Sequence, residues 1–186
     1  MQFDTKIAIV IRTDLEAWQK LNVASFLAGG IAAGFPECIG EPYQDGSGTK
    51  YLALIGQPIL IYGADRAALS RALERTLARN VTPALYTEDM FKTTHDAANR
   101  DVVRAVIRAD LNLVGLALRA ERKVIDKIVD GLKFHSYPQS NLPRIFVIPG
   151  RREAANAESR SGTTEIPGAL LREPVGRAPK RGKVIN

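Results

Sequence analysis

The strongest pattern in the chain is the unbroken apolar run Lys6–Arg12 (KIAIVIR), in which β-branched residues occupy both parities. A run without a polar face suits a strand buried on both sides, as in parallel sheets, and it reads as the first, central strand. Thr13 and Glu16 then form a Thr-x-x-Glu capping box, and Leu15, Trp18, Phe26 and Ile31 recur at helical spacing, predicting a helix to about Ala33. Gly34, Phe35 and Pro36 stop it. Ala and Gly at 28, 29, 30, 32 and 33 predict close packing of this helix against a neighbour.

Residues 37–50 (ECIGEPYQDGSGTK) are turn-rich. Two short apolar runs follow, Tyr51–Ile55 and Pro58–Tyr62, the second with the stronger strand composition. Asp65 caps a helix ending near Arg79, and Thr82–Tyr86 reads as a third strand with Pro83 near its start. Asp96 caps a helix from about Ala97 to Arg108, Leu111–Leu118 is the last strand, and Glu121–Asp130 the final amphipathic helix. This alternation predicts a three-layer α/β domain over residues 1–135, with a four-stranded, mostly parallel or mixed sheet and helices on both faces.

Beyond Ser136 the pattern ends. Prolines 138, 143, 149, 167, 174 and 179 interrupt any periodicity, so residues 136–186 are expected to be a disordered tail. Within it, Arg144–Ile148 (RIFVI) has the composition to add to a sheet edge. Phe146–Ser159 resembles tails found where a dispersed bacterial repeat element is translated, which implies no function for it.

Charge changes the picture once it is located. The net charge is +6, but residues 1–135 hold 17 Lys or Arg against 16 Asp or Glu, whereas residues 136–186 hold 9 against 4. Nucleic-acid affinity comes largely from neutralised phosphates, so strong nucleic-acid binding by the nearly neutral domain is not expected. No basic start is followed by an apolar run, and no stretch approaches the roughly 20 apolar residues of a membrane span, so a cytoplasmic protein without membrane attachment is expected. The single cysteine, Cys38, reads as a core residue. No glycine-rich nucleotide loop, nucleophile elbow or metal-ligand spacing occurs, so no cofactor and no metal are expected.

Three segments resemble the type II peptidyl-tRNA hydrolase fold in the right order: the strand end Arg12-Thr13-Asp14-Leu15, the element PALYTEDMFKT from Pro83, and Leu111–Phe134 (LNLVGLALRAERKVIDKIVDGLKF). The chain resembles more closely still, from Lys6 through His135, an uncharacterised bacterial family on that fold, the domain of unknown function numbered two thousand. That family supplies no activity. The hydrolase resemblance implies that Asp89 and Thr93 match its Asp-x-x-x-Thr catalytic pair. It also places Leu21 at the position of its helix Lys, with Lys20 one step away, and Ser25 and Ala28 at its Gln and His. The segment around THDAANRDVVRAVI is an insertion that adds a helix.

These residues sit where open α/β sheets bind ligands, at strand ends and helix starts. On the resemblance, Asp89 orients or deprotonates a water, Thr93 bonds the substrate carbonyl, and Lys20 stabilises an oxyanion or binds a phosphate. Arg12, Asp14, Asn22, His95 and Asn99 complete the candidate substrate-binding set. Asn22 stands out because it falls on the apolar side of its helix, where an unpaired amide is costly. The plain alternatives are that Asp14 is a cap, that Glu88 and Asp89 begin a turn, and that His95 caps a helix. Three functions follow: a small ester or amide hydrolase with altered substrate, a non-catalytic small-ligand module, or a genuine peptidyl-tRNA hydrolase. The partners expected are a small molecule or aminoacyl or peptidyl ester and, through short edge strands, a second copy in a homodimer.

Overall fold

In the computed structural model, which describes residues 3–135, the run Lys6–Arg12 lies in the middle strand of a five-stranded sheet. In chain order the elements are β1 (Thr5–Arg12), α1 (Ala17–Gly34), β2 (Tyr43–Gln44), β3 (Lys50–Tyr51), β4 (Ile59–Ala64), α2 (Arg66–Leu77), β5 (Ala84–Thr87), α3 (Asp96–Arg104), β6 (Leu113–Glu121), α4 (Arg122–Ile128) and β7 (Lys133–Phe134). The main sheet has the order β5-β6-β1-β4-β7. Its centre is dry: Ile7, Ala8, Ile9 and Val10 are at most 1% exposed.

The alternation of β1 divides the core into two layers. Ile7, Ile9 and Ile11 meet Val23, Leu27 and Ile31 of α1. Ala8 and Val10 face the other way, onto Leu69 and Leu73 of α2 and Ile125 and Ile128 of α4. Helices therefore cover both faces, as the sequence predicts.

The sheet itself corrects the expectation of four mostly parallel strands. Among the described residues only β1 and β4 run parallel, while the β1/β6, β5/β6 and β4/β7 pairings are antiparallel. An apolar run reports burial on two faces and carries no information on the direction of its neighbours. The fifth strand, β7, is two residues long and leaves no periodic signal.

Several boundaries also move. Thr13 does not cap α1: Glu16 is the N-cap, in a reciprocal capping box with Gln19. His95, rather than Asp96, caps α3, its Nδ1 accepting from Ala98 N at 3.2 Å, while Asp96 pairs with Arg100. Trp18 and Phe26 stay 60% and 57% exposed despite their place in the apolar pattern. The run Tyr51–Ile55 forms no strand of the main sheet; Lys50–Tyr51 instead closes a hairpin with Tyr43–Gln44. Arg144–Ile148 and the rest of the tail lie outside the described residues. Among the described residues, no helix is long and apolar enough to cross a membrane.

The hairpin is held by one carboxylate. Asp45 Oδ1 accepts from the amides of Ser47 and Thr49, each at 2.9 Å, and Tyr51 donates its hydroxyl to Oδ2 at 2.8 Å. The Thr49 amide first, then Tyr51, hold the Asp45 carboxyl below its ordinary value. Its stabilising effect is therefore complete above the ordinary carboxylate range, about pH 4, and disappears as pH falls through the lowered folded value. Amide exchange at Thr49 is expected to accelerate over that acid window in the native protein, and to be fast and insensitive to pH, beyond the intrinsic rate, in Asp45→Ala.

Candidate functional site

The carboxyl ends of β1 and β5 point the same way, because both strands run antiparallel to β6 between them. Arg12 closes the gap. Its Nε donates to Asp14 Oδ1 at 2.7 Å, and its Nη1 to Glu88 Oε2 at 2.9 Å and Asn112 Oδ1 at 3.1 Å. Asn112 Nδ2 donates in turn to Glu88 Oε2 at 2.8 Å. Burial pulls the guanidinium down, but the bonds from Glu88 and Asp14 outweigh it and hold Arg12 above its ordinary value. Such a network fixes the geometry of three strand ends and leaves Arg12 committed to partners within the fold.

The remaining expected residues divide into separate groups. A 3-10 turn, Glu88–Lys92, follows β5, and in it Asp89 pairs with Lys92 at 3.4 Å with its carboxylate 48% exposed. The Thr93 hydroxyl donates to Met90 O at 2.8 Å and lies against the Asn99 amide, tying the turn to α3. Asn22 has the partner its position demands, Tyr86, whose hydroxyl donates to Oδ1 at 3.1 Å. Burial raises the Tyr86 phenol above its ordinary value. Phe91 packs on Trp18 and Tyr86, with ring centres 5.7 and 5.2 Å apart, which fixes the turn against α1. Lys20 makes no ion pair among the described residues. Arg12 and Asp14 are thus brought together, Thr93 and Asn99 likewise, and no hydrogen bond joins the two pairs.

A second hollow lies on the other side of the same sheet end. A cleft of about 860 Å³ opens at the carboxyl ends of β1 and β4, between the start of α2 and β7, with Arg71, Arg75, Lys133 and His135 on its walls and Thr13 and Asp65 at its base. Thr13 N donates to Ala64 O at 3.0 Å and joins the two strand ends. Gly63 forms part of the floor, where a Cβ would sit 2.8 Å from the Thr13 methyl.

Arg75 is committed to the wall, its Nη1 donating to Ile128 O and to Asp130 O at 2.8 Å for the latter. Arg71 and Lys133 form no ion pair among the described residues. Asp65 is spent on capping α2, accepting from Ala68 N at 2.7 Å. Sequence reasoning missed this group, since each cation alone reads as a solvated surface charge. The available signal was Arg71 and Arg75 four residues apart, hence on one face of α2, near the carboxyl end of a strand. Among the described residues no cluster of His, Cys, Asp and Glu is arranged to hold a metal.

Comparison with known proteins shows the family. Residues 5–136 match the model of a protein family described as "Protein of unknown function (DUF2000)", and the chain belongs to that family. It is also similar to the solved structure of a protein of unknown function, Atu0240, from Agrobacterium tumefaciens strain C58. That similarity has 50% identity and a TM-score of 0.71, covering 73% of this chain and all (100%) of that one. No curated protein matches the chain.

Proposed function

We propose that this DUF2000 domain is a binding module for a small anionic molecule, held in the cleft at the carboxyl ends of β1 and β4. The observation that carries the reading is the cleft itself: about 860 Å³, with Arg71 and Lys133 on its walls and free of ion pairs among the described residues. Its volume falls in the range of about 300–1,000 Å³ typical of small-molecule sites. It also opens beside the parallel pair β1/β4, the kind of strand end where α/β sheets receive ligands. Its carboxylates are Asp65, turned to the α2 cap, and Asp130, against three Arg or Lys side chains.

Inorganic phosphate is expected to raise the melting temperature of the native protein in a saturable manner. Arg71 and Lys133 are exposed, so the double variant Arg71→Glu/Lys133→Glu keeps the fold and weakens phosphate binding at least tenfold, about 1.4 kcal/mol. Equal stabilisation of both proteins rejects the site.

A hydrolytic reading rests on Asp89, whose half-exposed carboxylate follows β5 within the element PALYTEDMFKT that resembles the type II peptidyl-tRNA hydrolases. Against it, the Thr93 hydroxyl is engaged by Met90 and Asn99. Cleavage of an aminoacyl-ester model substrate, lost in a folded Asp89→Asn variant, is the result that favours catalysis over binding. An inert native protein discards it.

A further inference from the structure

We infer that α1 and the β2–β3 hairpin together form the surface on which a second copy of this chain docks. The inference is independent of the ligand cleft. Every exposed residue of α1 is uncharged: Ala17, Trp18, Leu21, Ser25, Phe26, Gly29, Gly30, Ala33 and Gly34. A surface helix of a monomer ordinarily turns a charged face to water, and a helix apolar all round is a buried one. The sheet covers one side of α1 through Val23, Leu27 and Ile31, and Phe91 meets Trp18 at the amino end, while among the described residues Leu21, Ser25 and Gly29 on the opposite side stay exposed.

The hairpin makes the same demand from the other end of the helix. It is rooted just beyond the carboxyl terminus of α1 by backbone bonds from Gly40 N to Leu54 O and from Gly56 N to Cys38 O, both 2.8 Å. Every residue from 39 to 52 is exposed, and the arm carries Tyr43, Tyr51, Leu52 and Leu54 at 55%, 52%, 88% and 63%. A two-stranded ribbon is marginally stable in water without a surface to lie on, yet here it displays large apolar side chains.

Area decides that the two features act together. A helix of 18 residues is about 27 Å long and about 10 Å wide, so it presents roughly 270 Å². A stable dimer buries about 800 Å² on each partner. The helix alone is too small, so a stable interface has to extend onto the exposed Tyr43, Tyr51, Leu52 and Leu54 of the arm. Antiparallel packing of two α1 helices across a two-fold axis meets both needs. It brings the arm at the carboxyl end of one helix to Trp18 and Leu21 at the amino end of the other. The interface is isologous, so each copy gives and receives the same contact. The midpoint of α1 lies at Ser25 and Phe26, and Ser25, next to Gly29 on the helix surface, allows close approach of the two backbones there.

Sedimentation of the full chain is expected to show a dimer that Ser25→Arg and, separately, Leu52→Asp each weaken at least tenfold. Leu21→Glu, at a residue 70% exposed, does the same and serves if Ser25→Arg loses the near-ultraviolet signal of the folded protein. Mild oxidation cross-links Ser25→Cys between subunits but leaves Ser70→Cys, on α2, uncross-linked. A monomer at about 100 µM, a hundredfold or more above the roughly nanomolar to micromolar dissociation constants of standard interfaces, overturns the inference. So does a dimer indifferent to Ser25→Arg and Leu21→Glu. A dimer weakened by these but not by Leu52→Asp overturns the part assigned to the arm.

Discussion

Gly115→Val is expected to remove most of the domain's stability. Gly115 lies in β6 beneath α1, where a Cβ would stand 2.8 Å from Leu27 Cδ1 and closer still to Val23 Cγ1. Both of those side chains are at most 1% exposed and are held between α1 and the sheet, so neither has room to withdraw. Forcing extra carbon into a filled core costs about 1–3 kcal/mol, and Gly115→Ala belongs near the top of that range. Valine adds two further methyl groups at the same point, which exhausts much of the roughly 5–15 kcal/mol of a typical domain. Urea denaturation followed by tryptophan fluorescence measures it. Gly34→Ala is the control: its Cβ meets nothing within 4 Å, so it leaves stability nearly unchanged.

The second large effect is at Arg12. Arg12→Met removes the guanidinium that joins Asp14, Glu88 and Asn112, and its side chain is 11% exposed while those of Asp14 and Glu88 are 67% and 43% exposed. Deleting one member of a fully buried pair costs about 3–5 kcal/mol. Water reaches both carboxylates here, so the expected loss is smaller, about 1–3 kcal/mol. A double-mutant cycle with Glu88→Gln separates the strand-end tie from lost packing: the coupling is positive and falls with salt if the ion pair matters. Zero coupling assigns the whole effect to the methylene stem.

The core was legible because β1 is apolar in both parities, and that feature needs no knowledge of its partners. Strand direction was not, since the same run is buried whether its neighbour is β4, parallel, or β6, antiparallel. The start of α1 was misplaced by three residues because Thr13 and Glu16 match a capping box by type; the carboxylate and amide of Glu16 and Gln19 form the actual box. Trp18 and Phe26 read as core from spacing alone, yet they lie on the edge of the helix away from Val23 and Leu27. At the candidate site the sequence pointed to the β1 and β5 ends, whereas the cleft lies at the β1 and β4 ends and is lined by residues far apart in the chain. Lys133 and His135 reach it only through β7, which pairs with β4 over two residues and has no periodicity to detect.

Which half of the sheet end receives a ligand is settled most directly by amide chemical shifts of the full chain during titration with inorganic phosphate. Binding in the cleft moves Arg66, Ala67, Lys133 and His135, with the movement lost in Arg71→Glu/Lys133→Glu. Shifts confined to Glu88–Thr93, or unchanged spectra at saturating phosphate, contradict the assignment of the cleft as the binding site.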